Sequence, residues 1–139
     1  MPHEIEVELA ELLKKTIPCA EMVRYGKNGS DVTSAAVKIA RAPTGREKIA
    51  YCGYHGAQDW YIVTNVMNKG VPKVLKDYIH EFKYNKIESL KEIFEKNENE
   101  IAGVIMEPTC MEAPKDNFLR KVKKLAHDNG SILIFDEIV

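Results

Sequence analysis

Two short apolar runs in the second half of the chain, Ile101 to Met106 and Ile132 to Phe135, restrict its fold more than any other feature. Each is continuous rather than alternating, which is how a strand covered on both faces reads. Between them Phe118, Leu119, Val122, Leu125 and Ala126 recur at helical spacing, and Asn129-Gly130 closes that helix before the last strand. Strand, helix, strand is the unit of a mainly parallel sheet with crossover helices, so an α/β fold is expected. The segment Ser131 to Val139, read as a buried strand, also delivers Asp136 to its carboxyl end, where open α/β sheets bind their ligands.

Upstream, Ile5, Leu9, Leu12 and Leu13 among Glu and Lys predict an amphipathic helix that Pro18 stops. Val23 and Tyr25 suggest a short extended piece. Gly26 and Asn28-Gly29 then make a turn, and Ser30 or Asp31 is placed to cap a second helix. Its packed face is expected to be Val32, Ala35, Ala36, Ile39 and Ala40, and it ends around Pro43 and Gly45. Lys48 to Cys52 reads as a strand, followed by a glycine and aromatic loop from Gly53 to Trp60. Ile87, Leu90, Ile93 and Phe94 mark another helix, whereas Tyr61 to Asn85 carries no legible period. Residues 1–139 form one domain without repeat or linker. Both apolar strands would be central and few strands are available to flank them, so the sheet is expected to be incomplete, a piece of a domain continuing past Val139.

Charge narrows the partners. With 20 Lys+Arg against 21 Asp+Glu, no basic field calls for nucleic acid. No apolar run reaches the roughly 18 residues that cross a bilayer, and Met1-Pro2-His3-Glu4 lacks the regions of a secretory signal, so a cytoplasmic protein without membrane partners is expected. Cys19, Cys52 and Cys110 are too widely spaced for a metal or redox pair and are read as reduced, partly buried thiols. His3, His55, His80 and His127 show no metal-ligand spacing, so no metal is expected.

Three places carry chemistry. At Gly29-Ser30-Asp31 a turn enters a helix, so free N–H groups, a hydroxyl and the positive end of the helix dipole converge as an anionic phosphate requires; the same turn also serves as an ordinary cap. Tyr54-His55-Gly56 follows a strand, where an aromatic ring can cover a flat ligand or simply pack. Asp136 can bind a metal, orient a base or pair with a protonated ring nitrogen, and the lack of metal partners favours the last. Glu107, ending the preceding strand, can reach the same rim, with Glu137 turned elsewhere.

Taken in order, Val23-Arg24-Tyr25-Gly26-Lys27-Asn28-Gly29-Ser30-Asp31, Ala40-Arg41-Ala42-Pro43-Thr44-Gly45-Arg46-Glu47-Lys48-Ile49, Gly53-Tyr54-His55-Gly56, Val104-Ile105-Met106-Glu107-Pro108 and Leu133-Ile134-Phe135-Asp136-Glu137-Ile138 resemble the class III pyridoxal-phosphate aminotransferases, closest to the glutamate-1-semialdehyde 2,1-aminomutase branch. The resemblance implies part of the large domain of a fold-type I enzyme, a homodimer acting on a small amino acid or amino-aldehyde or keto substrate. It implies that Gly29 and Ser30 hold the phosphate of pyridoxal 5'-phosphate, that Tyr54 covers one ring face with His55 beside it, and that Ile138 stands against the other face. Catalytic roles fall to Asp136, opposite the pyridine nitrogen, and to Glu107. Family members often carry Ser-Gly-Thr-Glu where this chain has Asn28-Gly29-Ser30-Asp31, a mild departure that keeps the small and hydroxyl-bearing residues.

The family's Schiff-base lysine lies downstream of the strand bearing Asp136 and is not found in this sequence. Lys27, Lys38 and Lys48 do not occupy its motif and are read as solvated surface. Met1 to Leu13 resembles the helix before the phosphate turn, and the small C-terminal domain is not represented. The expectation is therefore transamination or intramolecular amino transfer in the complete protein, with the 139 residues alone inactive. The alternative is a non-catalytic chain that binds pyridoxal phosphate or another phosphate, or acts in assembly. A stand-alone nucleotide-binding domain is disfavoured because neither glycine-rich fingerprint occurs.

Overall fold

A computed structural model describes residues 3–109 and 111–139, which leaves the opening Met1-Pro2 and the expectation of a reduced Cys110 outside the described residues. Four strands, β1 (Lys48–Cys52), β2 (Ile79–Glu81), β3 (Ile101–Met106) and β4 (Ile132–Phe135), form one sheet in the order β2-β1-β3-β4, every neighbour parallel. The helices are α1 (Glu4–Thr16), α2 (Gly29–Thr44), α3 (Asp59–Ile62), α4 (Ile87–Lys96) and α5 (Phe118–Asp128), with a 3-10 turn at Lys73–Tyr78 leading into β2. Register pairs Cys52 with Met106 and Met106 with Phe135, so β1, β3 and β4 end level. The residues that follow them, Gly53, Glu107 and Asp136, consequently share one rim of the sheet.

Core residues lie on both faces of the sheet. On one, Leu90, Ile93 and Phe94 of α4 and Phe118, Val122 and Ala126 of α5 cover Ala50, Val104 and Met106. On the other, Val37 of α2 joins Tyr61, Val63, Ile49 and Ile105. All six residues of β3 are buried, as a strand covered on both sides requires. Burying each of its large apolar side chains contributes about 1.5–3 kcal/mol.

Strand β4 is an edge among the described strands: it pairs with β3 alone, and Ile132 (40% exposed) and Phe135 (42%) are partly open. The packed stripe of α2 is Thr33, Val37 and Ala40, at i, i+4 and i+7, while Ile39 is 63% exposed. At about 100° per residue Ile39 sits nearly opposite Val37, so it cannot share that face. Ala40 does allow the close packing expected of small residues, because a Cβ on Gly103 of β3 would stand 3.0 Å from the Ala40 methyl. Val23 and Tyr25 lie in irregular chain; the Tyr25 hydroxyl donates to the Glu6 carbonyl at 2.9 Å, a tie between this segment and α1. Lys48 is not simply solvated, since its ammonium is paired with Glu100 and donates to Asn97 Oδ1 at 2.8 Å. Cys19 is exposed and Cys52 buried. No described helix is long and apolar enough to cross a membrane.

Candidate active site

A cleft of about 440 Å³ opens at the level rim of the sheet, lined by residues that include Ser30, Tyr54, Glu107, Asp136 and Ile138. One wall is the start of α2. Its N-cap is Asn28, whose Oδ1 accepts from the Asp31 N–H at 3.0 Å, rather than the expected Ser30 or Asp31. The carbonyl of Asn28 accepts from Val32 N–H at 3.3 Å, which leaves the amides of Gly29 and Ser30 as first-turn donors without a helical acceptor. Because the cap falls two residues before Ser30, the Ser30 side chain is released from capping. Its Oγ accepts from Ala57 N–H at 3.1 Å, so the hydroxyl's own hydrogen remains for an acceptor in the cleft.

That bond stitches α2 to the loop after β1. Gly56 holds φ +102°, a conformation only glycine adopts without strain, and a Cβ there would overlap the Ser30 side chain. Thr33, which sequence reasoning missed, adds a second stitch: its hydroxyl lies 2.9 Å from the His55 carbonyl and 3.2 Å from the Ser30 carbonyl. A polar residue on the packed stripe of a helix was the signal available for it, since a buried hydroxyl must find an acceptor.

Asp136 is buried where β4 ends. Its backbone N–H donates to the Met106 carbonyl at 2.9 Å, continuing the ladder one residue past the strand and fixing the side chain at the base of the cleft. Oδ1 accepts from Ile138 N–H at 3.3 Å and Oδ2 lies 2.8 Å from His55 Nδ1. The imidazole is 1% exposed, and its Nε2 stands 3.2 Å from the Cys52 carbonyl. Both ring nitrogens are thereby occupied within the protein, so His55 stands behind Asp136 rather than offering a free polar atom to the cleft.

Tyr54 is exposed at the cleft and braced edge-on by Tyr61, centroids 5.5 Å apart. Tyr61 is in turn anchored by its hydroxyl, which donates to the Gly53 carbonyl at 3.0 Å. Burial, with the neighbouring phenols Tyr51 and Tyr54, pushes the Tyr61 phenol up to about 12. Ile138 leans over the start of α2, where a Cβ on Gly29 would stand 2.8 Å from its Cδ1. Glu107 is held by its backbone N–H to the Cys52 carbonyl at 3.3 Å and lies against Gly53. Glu137 is exposed and is not among the residues that line the cleft. The cleft thus brings together Gly29, Ser30, Tyr54, His55, Glu107, Asp136 and Ile138, and adds Asn28, Gly56 and Gln58, which were not anticipated as lining.

The chain matches the family model described as aminotransferase class-III over residues 1–139. It is 40% identical to 3-aminobutyryl-CoA aminotransferase of Cloacimonas acidaminovorans, over 99% of this chain and 34% of that protein. To glutamate-1-semialdehyde 2,1-aminomutase of Alkaliphilus oremlandii it is 41% identical, over 98% of this chain and 36% of the relative. A solved structure of a transaminase with PLP bound matches with TM-score 0.90 at 28% identity, covering 99% of this chain and 36% of that one. The chain therefore spans about a third of the length of the curated relatives it matches.

Proposed function

Because this chain belongs to the class III aminotransferases, we propose that it forms the part of a pyridoxal-phosphate enzyme that cradles the cofactor while an amino group is transferred. The observation that carries the reading is the convergence, in one cleft, of a buried carboxylate and a helix start with an available hydroxyl. These residues fit the group. Two first-turn amides and the Ser30 hydroxyl suit an anionic phosphate, Tyr54 and Ile138 suit the faces of a flat ring, and Asp136 suits a protonated ring nitrogen. Bound there, pyridoxal phosphate would supply an electron sink at the substrate carbon.

In this reading Ser30 and the α2 amides orient the cofactor by its phosphate, and Tyr54 and Ile138 restrict its tilt. Asp136 holds the proton on the ring nitrogen, the condition for the ring to draw electrons. Glu107 faces the reacting side of the cleft as a polar contact for the substrate or cofactor. The substrate is a small amino acid, amino-aldehyde or keto compound, and the same residues serve transfer to a second molecule or within one skeleton. A cytoplasmic homodimer is the setting we assign, the exposed Ile5, Leu9 and Leu12 of α1 supporting the dimer. Among the described residues no lysine lines the cleft, so the 139 residues alone are proposed to bind without turnover.

The test is a pyridoxal-phosphate titration of the protein at its natural length, followed by visible absorbance, with Ser30→Ala and Asp136→Ala beside it. Each variant is expected to weaken binding about tenfold or more, the scale of a charge-assisted hydrogen bond. Binding unchanged in both would remove the cleft from the cofactor's site.

A further inference from the structure

His55 faces two acceptors. Its Nε2 lies 3.2 Å from the Cys52 carbonyl, which can only accept, and its Nδ1 lies 2.8 Å from Asp136 Oδ2. A neutral imidazole has one N–H and would turn a bare nitrogen lone pair toward one of these oxygens. With the ring buried, no water is at hand to relieve that clash. The count closes only when the His55–Asp136 pair holds one more proton than a neutral ring beside a carboxylate. The aromatic rings packed around the imidazole favour the ring as the place of that proton.

Resting on the cofactor reading of Asp136, we propose that His55 is a positioning residue with hydrogen on both ring nitrogens, one given to Asp136 and the other to the Cys52 carbonyl. The surroundings accept a cation. Trp60 lies nearly parallel to the imidazole at 6.4 Å, while Tyr61 at 5.5 Å and Tyr51 at 6.3 Å meet it edge to face. Aromatic rings at about 6 Å attract a buried cation. The Thr33 hydroxyl of α2 meets His55 at its backbone carbonyl rather than at the ring, and the Tyr61 phenol stays neutral up to about 12, so neither sets a competing charge against the ring. The consequence falls on Asp136. Oδ2 is pinned by the His55 ring and Oδ1 by Ile138 N–H, so the group is held in a fixed plane, its remaining lone pairs turned to the cleft. His55 thereby sets the direction of the acid that would meet the ring nitrogen.

The test is nitrogen-15 NMR of the histidine side chains in the natural-length protein at neutral pH, His55 being assigned by its loss in His55→Gln. Both ring nitrogens of His55 are expected to resonate as protonated, before and after pyridoxal phosphate is added. One bare ring nitrogen would overturn the proposal. In Asp136→Asn, where an amide replaces the carboxylate, His55 is expected to fall back to a single ring hydrogen; retention of both would overturn it as well. His55→Gln keeps a donor but no charge and is expected to weaken pyridoxal-phosphate binding about tenfold, the difference between a charged and a neutral hydrogen bond. Unchanged affinity would sink the positioning role. Because the NMR result on the cofactor-free protein is independent of binding, failure of the cofactor reading would show separately, as no visible band on titration.

Discussion

Asp136 is aimed by three separate bonds, one from its own backbone to Met106, one from Ile138 and one from His55, and no one of them is adjacent to it in sequence on both sides of the bond. Such over-determination is what a binding group needs, since a side chain held in one rotamer loses little freedom when its ligand arrives. Gly56 is the complementary case, a residue chosen for what it lacks. Gly56→Ala would force a side chain into the left-handed region and against Ser30, so a loss of about 1–3 kcal/mol is expected in denaturant unfolding, together with weaker phosphate binding. Tyr61 gives an alkaline signature. Its folded value of about 12 lies above the ordinary value near 10, so its protonated form stabilises the fold fully below pH 10. The unfolded chain releases that proton first, and stability is expected to fall as pH rises from about 10 to about 12. Unfolding midpoints across that window should decline less steeply in Tyr61→Phe; equal slopes would contradict the assignment.

The elements differ in how plainly the sequence announced them. Strand β3 was legible because six buried residues in a row leave no alternation, and α4 and α5 because their apolar residues recur on one face. Strand β2 was not, because Ile-His-Glu is three residues long and earns its place only by pairing with β1. The stripe of α2 departs from the apolar pattern at two places, since the polar Thr33 is buried and the apolar Ile39 is exposed, while Ala40 lies inside as its spacing suggests. Two substitutions separate these faces: Val37→Ala is expected to cost about 1–3 kcal/mol, and Ile39→Lys to stay within about 0.5 kcal/mol in the protein at natural length, judged by denaturant midpoints. Of the site, every residue anticipated from motif lies at the cleft, because the helix-entry turn, the aromatic loop and the strand-end acid are each local in sequence. What could not be read were the ties between them, Ser30 to Ala57, Thr33 to His55 and His55 to Asp136, which link residues 22 to 81 positions apart.

Across the molecule, the apolar surface is unevenly covered. Helix α1 buries none of its residues and leaves Ile5, Val7, Leu9 and Leu12 open, while Ile132, Phe135 and Ile138 are open beside β4. A parallel edge strand with apolar side chains is a template for association. The 139-residue polypeptide expressed by itself is therefore expected to self-associate or to unfold without a sharp transition, and a monomer in sedimentation that melts cooperatively would contradict this. The central claim concerns the cleft itself, and a crystal structure of the natural-length protein grown with pyridoxal phosphate tests it most directly. The account expects the cofactor between Tyr54 and Ile138, its phosphate on Gly29 and Ser30 and its ring nitrogen on Asp136. Density for the cofactor elsewhere, or a cleft left empty at saturating concentration, would contradict it.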